Sequence, residues 1–499
     1  MKKILSLILL LYLMHFQTKA QDGFIVKESG PNLLNLPQDF VISPNGNMLF
    51  IFTSVPQNGY LNVNEIRELN PFGEIINNFS FSDSTLDDVQ YTYCLIVEDT
   101  LYVFGKGYRN IGGNSYLPFL LMHKFDLQLN SISMHEFWLE QLSPNMIFHG
   151  RVKYINENFH YISGFGAIGN LRPFHAEISR QGELINFNIE GEAGKTLLPY
   201  DFTIKEDGGY QTYSLAVGYT STYLICGFIC NYNRDFQIEN YFQLPSDLGF
   251  FHTYKAINDS TYYLAAEWLE FPSPVTSFRA GILKIKNDTT IVDEFLYSTY
   301  PDTSACPAYY HSIEVLPDGN LIFCFVGNLS AQFYPQQQPA QINLMKLTPD
   351  FEVIWHRYIG EPDTKYDPYV MRTTESGEIV ILGAYSHAPP GNAFEMQALF
   401  IKTNSEGIIT GTNDEPSGVR STQAIVYPNP ARDFVQIEYS MAYTQATFSL
   451  LDISGKTVFE QQLTANKQSL DISGIPAGTY IYRVYNQKGL DESGKLMVE

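Results

Sequence analysis

The sequence predicts an all-β protein, a seven-bladed β-propeller followed by a small Ig-like β-sandwich, and three observations carry that expectation. The first is composition: 34 Tyr and 35 Phe among 499 residues, with 44% hydrophobic residues in all, exclude a disordered chain. The second is local pattern, short alternating runs rich in β-branched and aromatic residues that turn at Asn, Asp or Gly. The third is that this pattern recurs seven times at a spacing of about 55 residues, the form taken by units that bury their faces only against neighbours.

Taken in order, residues 1–20 read as a signal peptide. Lys2 and Lys3 precede an apolar run from Ile4 to Met14, and Thr18-Lys19-Ala20 supplies a small-x-small cleavage site. The run is shorter than the roughly twenty residues that span a bilayer. The body, 21–410, holds the repeats. FVISPNGNMLFIF at 40–52, YCLIVEDTLYVFG at 93–105, RVKYINENFHYISG at 151–164, FTIKEDGGYQTYS at 202–214, YKAINDSTYYLAA at 254–266, IEVLPDGNLIFCFVG at 313–327 and MRTTESGEIVILG at 371–383 each read as a hairpin. A second strand-turn-strand follows most of them, as in EIRELNPFGEIINNF at 65–79 and INLMKLTPDFEVIW at 342–355, which makes four strands per repeat. The fourth repeat fits loosely, through YLICGFICNYNRDFQIENYF at 223–242. Ring closure stays open: Phe24-Ile25-Val26 could add an outer strand to the last blade, but ALFIKTNSEGIIT at 398–410 reads as supplying that blade's own fourth strand.

Aligning the hairpins on their turns singles out one set of positions. Eight residues before Gly46, Asp99, Glu157, Gly208, Ser260, Gly319 and Gly377 stand Gln38, Tyr91, His149, Tyr200, His252, His311 and Tyr369. If the first strand of each blade is innermost, these residues form a ring near one mouth of the channel, where imidazoles and phenols can bond or stack on a ligand. The same side chains also serve simply to pack adjacent blades with their polar tips satisfied. A one-residue slip in blades three and five would move His149 and His252 out of the ring.

Other chemistry has little support. The chain has no Gly-x-Ser-x-Gly elbow, phosphate loop, His-Glu-x-x-His helix or EF-hand loop, and no cofactor or metal site is expected. Asp83, Asp87 and Asp88 read as a solvated loop. Glu267/Glu270 beside Trp268 and Asp363/Asp367 beside Tyr366 are the acid pairs that could suit glycoside chemistry. The five cysteines, Cys94, Cys226, Cys230, Cys306 and Cys324, read as buried thiols, with Cys306 and Cys324 near enough in one repeat to pair.

At 411–423 the composition turns small and polar, a linker, and 424–499 follows as a compact set of short strands. This last segment closely resembles the type A C-terminal sorting domain of the type IX secretion system of Bacteroidota. The resemblance rests on Tyr427-Pro428-Asn429-Pro430, on Leu451-Asp452-Ile453-Ser454-Gly455-Lys456, on Ile475-Pro476-Ala477-Gly478-Thr479-Tyr480 and on Gly494-Lys495-Leu496-Met497-Val498. It implies export through the periplasm, engagement of the type IX machinery, and release or attachment to surface lipopolysaccharide after cleavage near the linker. The expected location is secreted or on the outer-membrane cell surface.

For the cargo body three readings stay open. Binding of a glycan, a peptide or another surface protein ranks first, a structural or adhesive surface role second, and a polysaccharide lyase or hydrolase using the mouth histidines third. The net charge is −22, of which residues 1–20 carry +3 and the last 76 residues −2, leaving −23 on the body and linker. Such acidity excludes a nucleic-acid partner and points toward neutral or cationic ligands unless a local basic feature intervenes.

Overall fold

The computed structural model describes residues 23–27, 33–56, 63–82, 88–112, 115–142, 146–147, 150–167, 170–190, 197–216, 226–245, 248–258, 260–270, 277–287, 290–297, 303–330, 340–361, 364–387, 396–409 and 420–499. The expected signal peptide, most of the linker, His149, Asp83, Asp87 and Asp363 lie outside them.

Seven antiparallel sheets make up the body. Blade one runs outward through Leu33–Ile42, Met48–Pro56, Val63–Leu69 and Ile75–Phe81, and blade two through Asp88–Val97, Thr100–Gly112, Ser115–Asp126 and Ser131–Trp138. In blade three the inner strand is split into Met146–Ile147 and Arg151–Ile155, before Asn158–Ala167, Asn170–Ser179 and Leu184–Ile189. The loosely patterned fourth repeat forms a full blade, Leu197–Ile204, Tyr210–Ala216, Cys226–Tyr232 and Ile238–Gln243. Blade five is Leu248–Asn258, Thr261–Glu270, Ser277–Lys286 and Thr290–Leu296. Blade six again has a split inner strand, Thr303–Pro307 and Ile313–Val315, then Leu321–Ser330, Gln341–Leu347 and Val353–Gly360. The first strand of each blade touches that of the next, and the first strand of blade seven, Thr364–Thr373, touches that of blade one. The ring is closed, and these strands line its axis.

Local turn chemistry explains why the hairpins form where they do. Gly46, Gly208, Gly319 and Gly377 sit at φ of 85°, 82°, 83° and 84°, a left-handed conformation that L side chains resist. In the first, the Gly46 amide donates to the Ser43 carbonyl and the Ser43 amide to the Asn47 carbonyl. The aromatic excess goes between blades: each adjacent pair shares one apolar cluster, from Leu49, Ile51, Tyr91 and Phe119 between blades one and two to Phe40, Phe50, Val370 and Phe400 between blades seven and one. Burial of this kind, about 25 cal/mol per Å² of apolar surface, is what holds the blades radially.

Closure differs from the sequence pattern. After Ile379–His387 and Gln397–Thr403, residues 404–409 of blade seven form no strand, and Ile408 is 39% exposed. Phe24–Lys27 takes the outer position instead, with Phe24 opposite Lys402 and Lys27 opposite Leu399. The reason is burial: Phe24 is 1% exposed inside the cluster between blades seven and one, and it lies so close over Gly73 that a Cβ there would meet its ring at 2.5 Å. A second departure concerns the linker. Its last residues, Arg420–Thr422, add a fifth strand to blade six, pairing Tyr358 with Thr422 and Gly360 with Arg420.

The terminal module is a sandwich of a three-stranded sheet, Ala424–Tyr427, Phe434–Tyr439 and Lys467–Asp471, and a four-stranded one, Thr457–Leu463, Ala446–Leu451, Gly478–Tyr485 and Asp491–Val498. Val435, Ile437, Phe448, Val484 and Leu496 form its core. Cys94, Cys230, Cys306 and Cys324 are free thiols, so Cys306 and Cys324 do not pair.

Candidate functional site

Every innermost strand is interrupted at the same level. In blade one Pro37 faces Phe52 and Asp39 faces Ile51, which leaves Gln38 as the extra residue of a β-bulge. Thr92, Tyr200, His252 and Tyr369 occupy the same place in blades two, four, five and seven. In blades three and six the interruption widens into the break between the two inner segments. A bulge re-aims the side chains that follow it. Proline precedes it in blades one, four and seven, at Pro37, Pro199 and Pro368, where a missing amide donor is tolerated.

Beyond the bulges the strands surround a well of about 320 Å³ to which all seven blades contribute. Its charges are arranged in pairs between neighbours. Arg372 of blade seven reaches Asp39 of blade one at 2.8 Å, and Asp39 also accepts the Cys94 amide of blade two at 3.1 Å. The device recurs in blade four: Asp201 pairs with Lys153 of blade three at 3.3 Å and accepts the Tyr254 amide of blade five at 3.4 Å. Burial works to raise the Asp201 carboxyl, but Lys153 and Arg151 outweigh it and hold the group below its usual range. A third pair joins Lys255 of blade five to Glu314 of blade six at 2.7 Å. Glu314 is drawn down to about 2, because the His311 and Lys255 contacts overcome its burial. Burial in turn holds the His311 imidazole at about 4, so it is neutral at pH 7.

Arg151 stands apart. Only 8% exposed, it spans the channel, donating from Nε to the Tyr200 carbonyl of blade four at 3.1 Å and from Nη2 to the Tyr310 carbonyl of blade six, with its guanidinium 5.1 Å from the Tyr310 ring centre. Tyr93, Tyr254 and Tyr310 add aromatic wall. Burial and the nearby Asp39 push the Tyr93 phenol up to about 12.

The seven ring positions fall into different places. His311 lines the well, with Nε2 2.9 Å from Glu314 Oε1. His252 is buried, with Nε2 2.8 Å from Glu267 Oε1 and Nδ1 3.3 Å from the Tyr309 carbonyl. Tyr369 packs against Tyr309 and Tyr310, ring centres 4.8 and 5.9 Å apart. Tyr200 contributes its carbonyl to Arg151, and burial lifts its phenol to about 12. Gln38 is buried, and Tyr91 is turned into the interface of blades one and two, its hydroxyl 2.8 Å from His123 Nδ1. The residues facing the well, Asp39, Tyr93, Arg151, Asp201, Tyr254 and Arg372, stand one to three positions further along the chain. Of the acid pairs, the Glu270 side chain and Asp363 lie outside the described residues. Glu267 and Asp367 both bear on Cys306 and Tyr309, after burial the charges that raise these two groups. Among the described residues no three His, Cys, Asp or Glu side chains are grouped to hold a metal ion.

In the terminal module the motif residues do structural work. Tyr427-Pro428 and Asn429-Pro430 are cis peptides, and Asn429 is bound to the last strand from both sides, donating to the Lys495 carbonyl at 2.8 Å and accepting the Met497 amide at 2.9 Å. Tyr480 donates to the Pro476 carbonyl at 2.7 Å, and Gly455 turns at φ 82°. At Gly494 a Cβ would meet the Tyr482 hydroxyl at 2.5 Å, and Gly478 starts the strand paired with the terminal one.

Comparison with known proteins adds to this in one region. Residues 425–499 match the family described as secretion system C-terminal sorting domain. No curated protein matches the chain. Among solved structures, the chain is similar to an endo-arabinase from Bacteroides thetaiotaomicron at 12% identity, covering 62% of this chain and 91% of that one with a TM-score of 0.30. It is also similar to a sucrose-6-phosphate hydrolase from Lactobacillus gasseri at 12% identity, covering 79% and 96% with a TM-score of 0.35. A third, prolyl oligopeptidase B from Galerina marginata, gives 10% identity, 70% and 47% coverage and a TM-score of 0.37. Scores of this size transfer neither a substrate nor a residue role to the propeller. Residues 425–499 are a type IX secretion C-terminal sorting domain, and the chain is an exported, cell-surface or extracellular cargo of that system.

Proposed function

We propose that the propeller is a recognition module that holds a ligand in the well of its central channel, and that the sorting domain delivers this module to the surface. The observation that supports it is the convergence of cationic, aromatic and hydrogen-bonding side chains from all seven blades on one well of about 320 Å³. That volume is at the small end of the range for ligand sites, about 300–1,000 Å³. A glycan segment or a peptide end fits such a mouth. Attachment to surface lipopolysaccharide after removal of the tail belongs to the same proposal. The test is a glycan and peptide array on the full chain, repeated with Tyr254→Ala and Arg151→Gln. Hits that vanish in both variants while melting temperature holds support the well as the site, and hits that survive both overturn it.

A second reading has one observation in its favour. Glu267, bonded to His252, and Asp367, 2.8 Å from Lys365, come from different blades and act on the same two neighbours, Cys306 and Tyr309. Two carboxyl groups are the minimum for glycoside hydrolysis. Release of reducing sugar from an array hit, abolished by Glu267→Gln, would establish it.

A further inference from the structure

We infer that the ligand of the channel well is a small monoanion, a carboxylate carried on a sugar-sized ring, seated on the guanidinium of Arg151. This deepens the recognition reading above and rests on it. The body carries −23 with its linker, yet four cations, Arg151, Lys153, Lys255 and Arg372, meet only three carboxylates, Asp39, Asp201 and Glu314, at the well. With His311 neutral, the site has one formal positive charge to spare.

The surplus can be placed. Lys255 and Arg372 each have their own carboxylate at 2.7 and 2.8 Å, and Lys153 has Asp201. Arg151 is more than nine-tenths buried, its hydrogen-bond partners among the described residues are two backbone carbonyls, and the Asp201 carboxyl that its charge helps hold down is already ion-paired with Lys153. Charged side chains are seldom buried this far without a counter-charge. Its Nε and one Nη2 hydrogen are used, while both Nη1 hydrogens and the second Nη2 hydrogen have no protein acceptor among the described residues. Nη1 and Nη2 together form the end-on edge of the fork, the edge that takes the two oxygens of a carboxylate in parallel. The two carbonyls fix the plane of the guanidinium before any ligand arrives, so little ordering remains for binding.

Charge and shape then narrow the class. A carboxylate brings one negative charge and neutralises the surplus, whereas a phosphate monoester brings between one and a half and two and would face Asp201 and Glu314 uncompensated. Tyr93, Tyr254 and Tyr310 offer the flat faces on which a sugar ring stacks. A free hexuronate is the simplest molecule with both properties, and the acidic exterior repels larger polyanions that would have to lie across it.

The test is calorimetric titration of the full chain at pH 7 and low salt with D-glucuronate, its neutral amide D-glucuronamide, D-glucose and D-glucose 6-phosphate. We expect glucuronate to bind at least tenfold more tightly than the other three, the ratio that a charge-assisted bidentate contact supplies. The amide comparison needs no variant, so it stands even where Arg151→Gln weakens the fold. In a folded Arg151→Gln protein the tenfold preference disappears, and in Arg151→Lys it falls without vanishing. Equal binding of glucuronate and glucuronamide overturns the charge assignment and leaves the recognition reading intact. Preference for the phosphate ester overturns the carboxylate class. If none of the four binds, the inference fails, and the recognition reading stands or falls separately on the array with Tyr254→Ala.

Discussion

The Tyr297 hydroxyl, just past the outer strand of blade five, donates a hydrogen bond to the Glu438 carboxylate of the sorting domain. Both groups are buried, Lys467 approaches Glu438 from the other side at 3.3 Å, and Tyr358 of blade six packs with Ile425 and Tyr427 beside them. The two modules are therefore joined by more than the chain between them.

Removing one donor from a buried carboxylate leaves a charge under-satisfied, which costs about 1–3 kcal/mol. Tyr297→Phe is expected to weaken docking while leaving each module folded. Limited proteolysis should release the sorting domain faster, and calorimetry should resolve two transitions where the parent shows overlap. An unchanged digestion rate would mean the contact is idle.

Asp39 and Arg372 form the corresponding joint inside the ring. Asp39→Asn keeps the shape but strips the charge facing Arg372 and weakens the acceptor of the Cys94 amide. Because Arg372 retains some solvent contact, a loss of about 2–4 kcal/mol is expected rather than the full penalty of a buried pair. Urea denaturation of Asp39→Asn, Arg372→Ala and the double variant measures it, and additive losses would show that the two residues are uncoupled.

Phe24 is the large side chain of the closing strand. Phe24→Ala should lose about 3–5 kcal/mol through the cavity left between blades seven and one. The comparison is an exposed position such as Ile408→Ala, expected to change little. Similar denaturation midpoints for the two variants would argue that the ring holds without its first strand.

Acid should be the fold's weak direction. Burial holds His123 and His311 at about 4 and His175 and His356 at about 3, all below the unfolded value near 6.5. Between those values the unfolded chain binds protons that the folded chain refuses, so stability falls as pH drops below 6.5 and the loss continues to about 3–4. At pH 5 each group contributes up to ~2 kcal/mol of that loss. Melting temperatures from pH 7.5 to 4.5 test it, and a flat profile would contradict the burial of these imidazoles.

The blades were legible in the sequence because their determinants are local: a Gly at positive φ, an alternation, a neighbour of the same kind. The sorting domain was legible because Asn429, Tyr480 and Gly494 each answer one steric or hydrogen-bonding demand. The closing strand was not, since Phe24-Ile25-Val26-Lys27 is short and its partner lies at the other end of the body. The channel was only half legible. Counting eight residues back from each turn presumes an unbroken pleat, and a bulge breaks it, so that in blades one, four, five and seven the count landed on the extra residue itself. The signal that marks the positions facing the well is the Pro-x-Asp of Pro37-Gln38-Asp39 and Pro199-Tyr200-Asp201. Net charge misled in a similar way, because it averages an acidic exterior with a basic well and reports only the larger.

The pairing of Phe24 with Lys402 also bears on how the molecule matures. The two residues stand about 380 positions apart, so this ladder has one of the highest sequence separations the chain allows, and contacts of that kind form late. The first described strand of the body completes the sheet of its last blade. Until Leu399 to Lys402 and Phe24 to Lys27 pair, blade seven lacks its outer strand and presents a raw sheet edge, a form prone to pair with another chain. The last blade is thereby completed only when the two ends of the body meet, with Phe24 to Lys27 laid along Leu399 to Lys402.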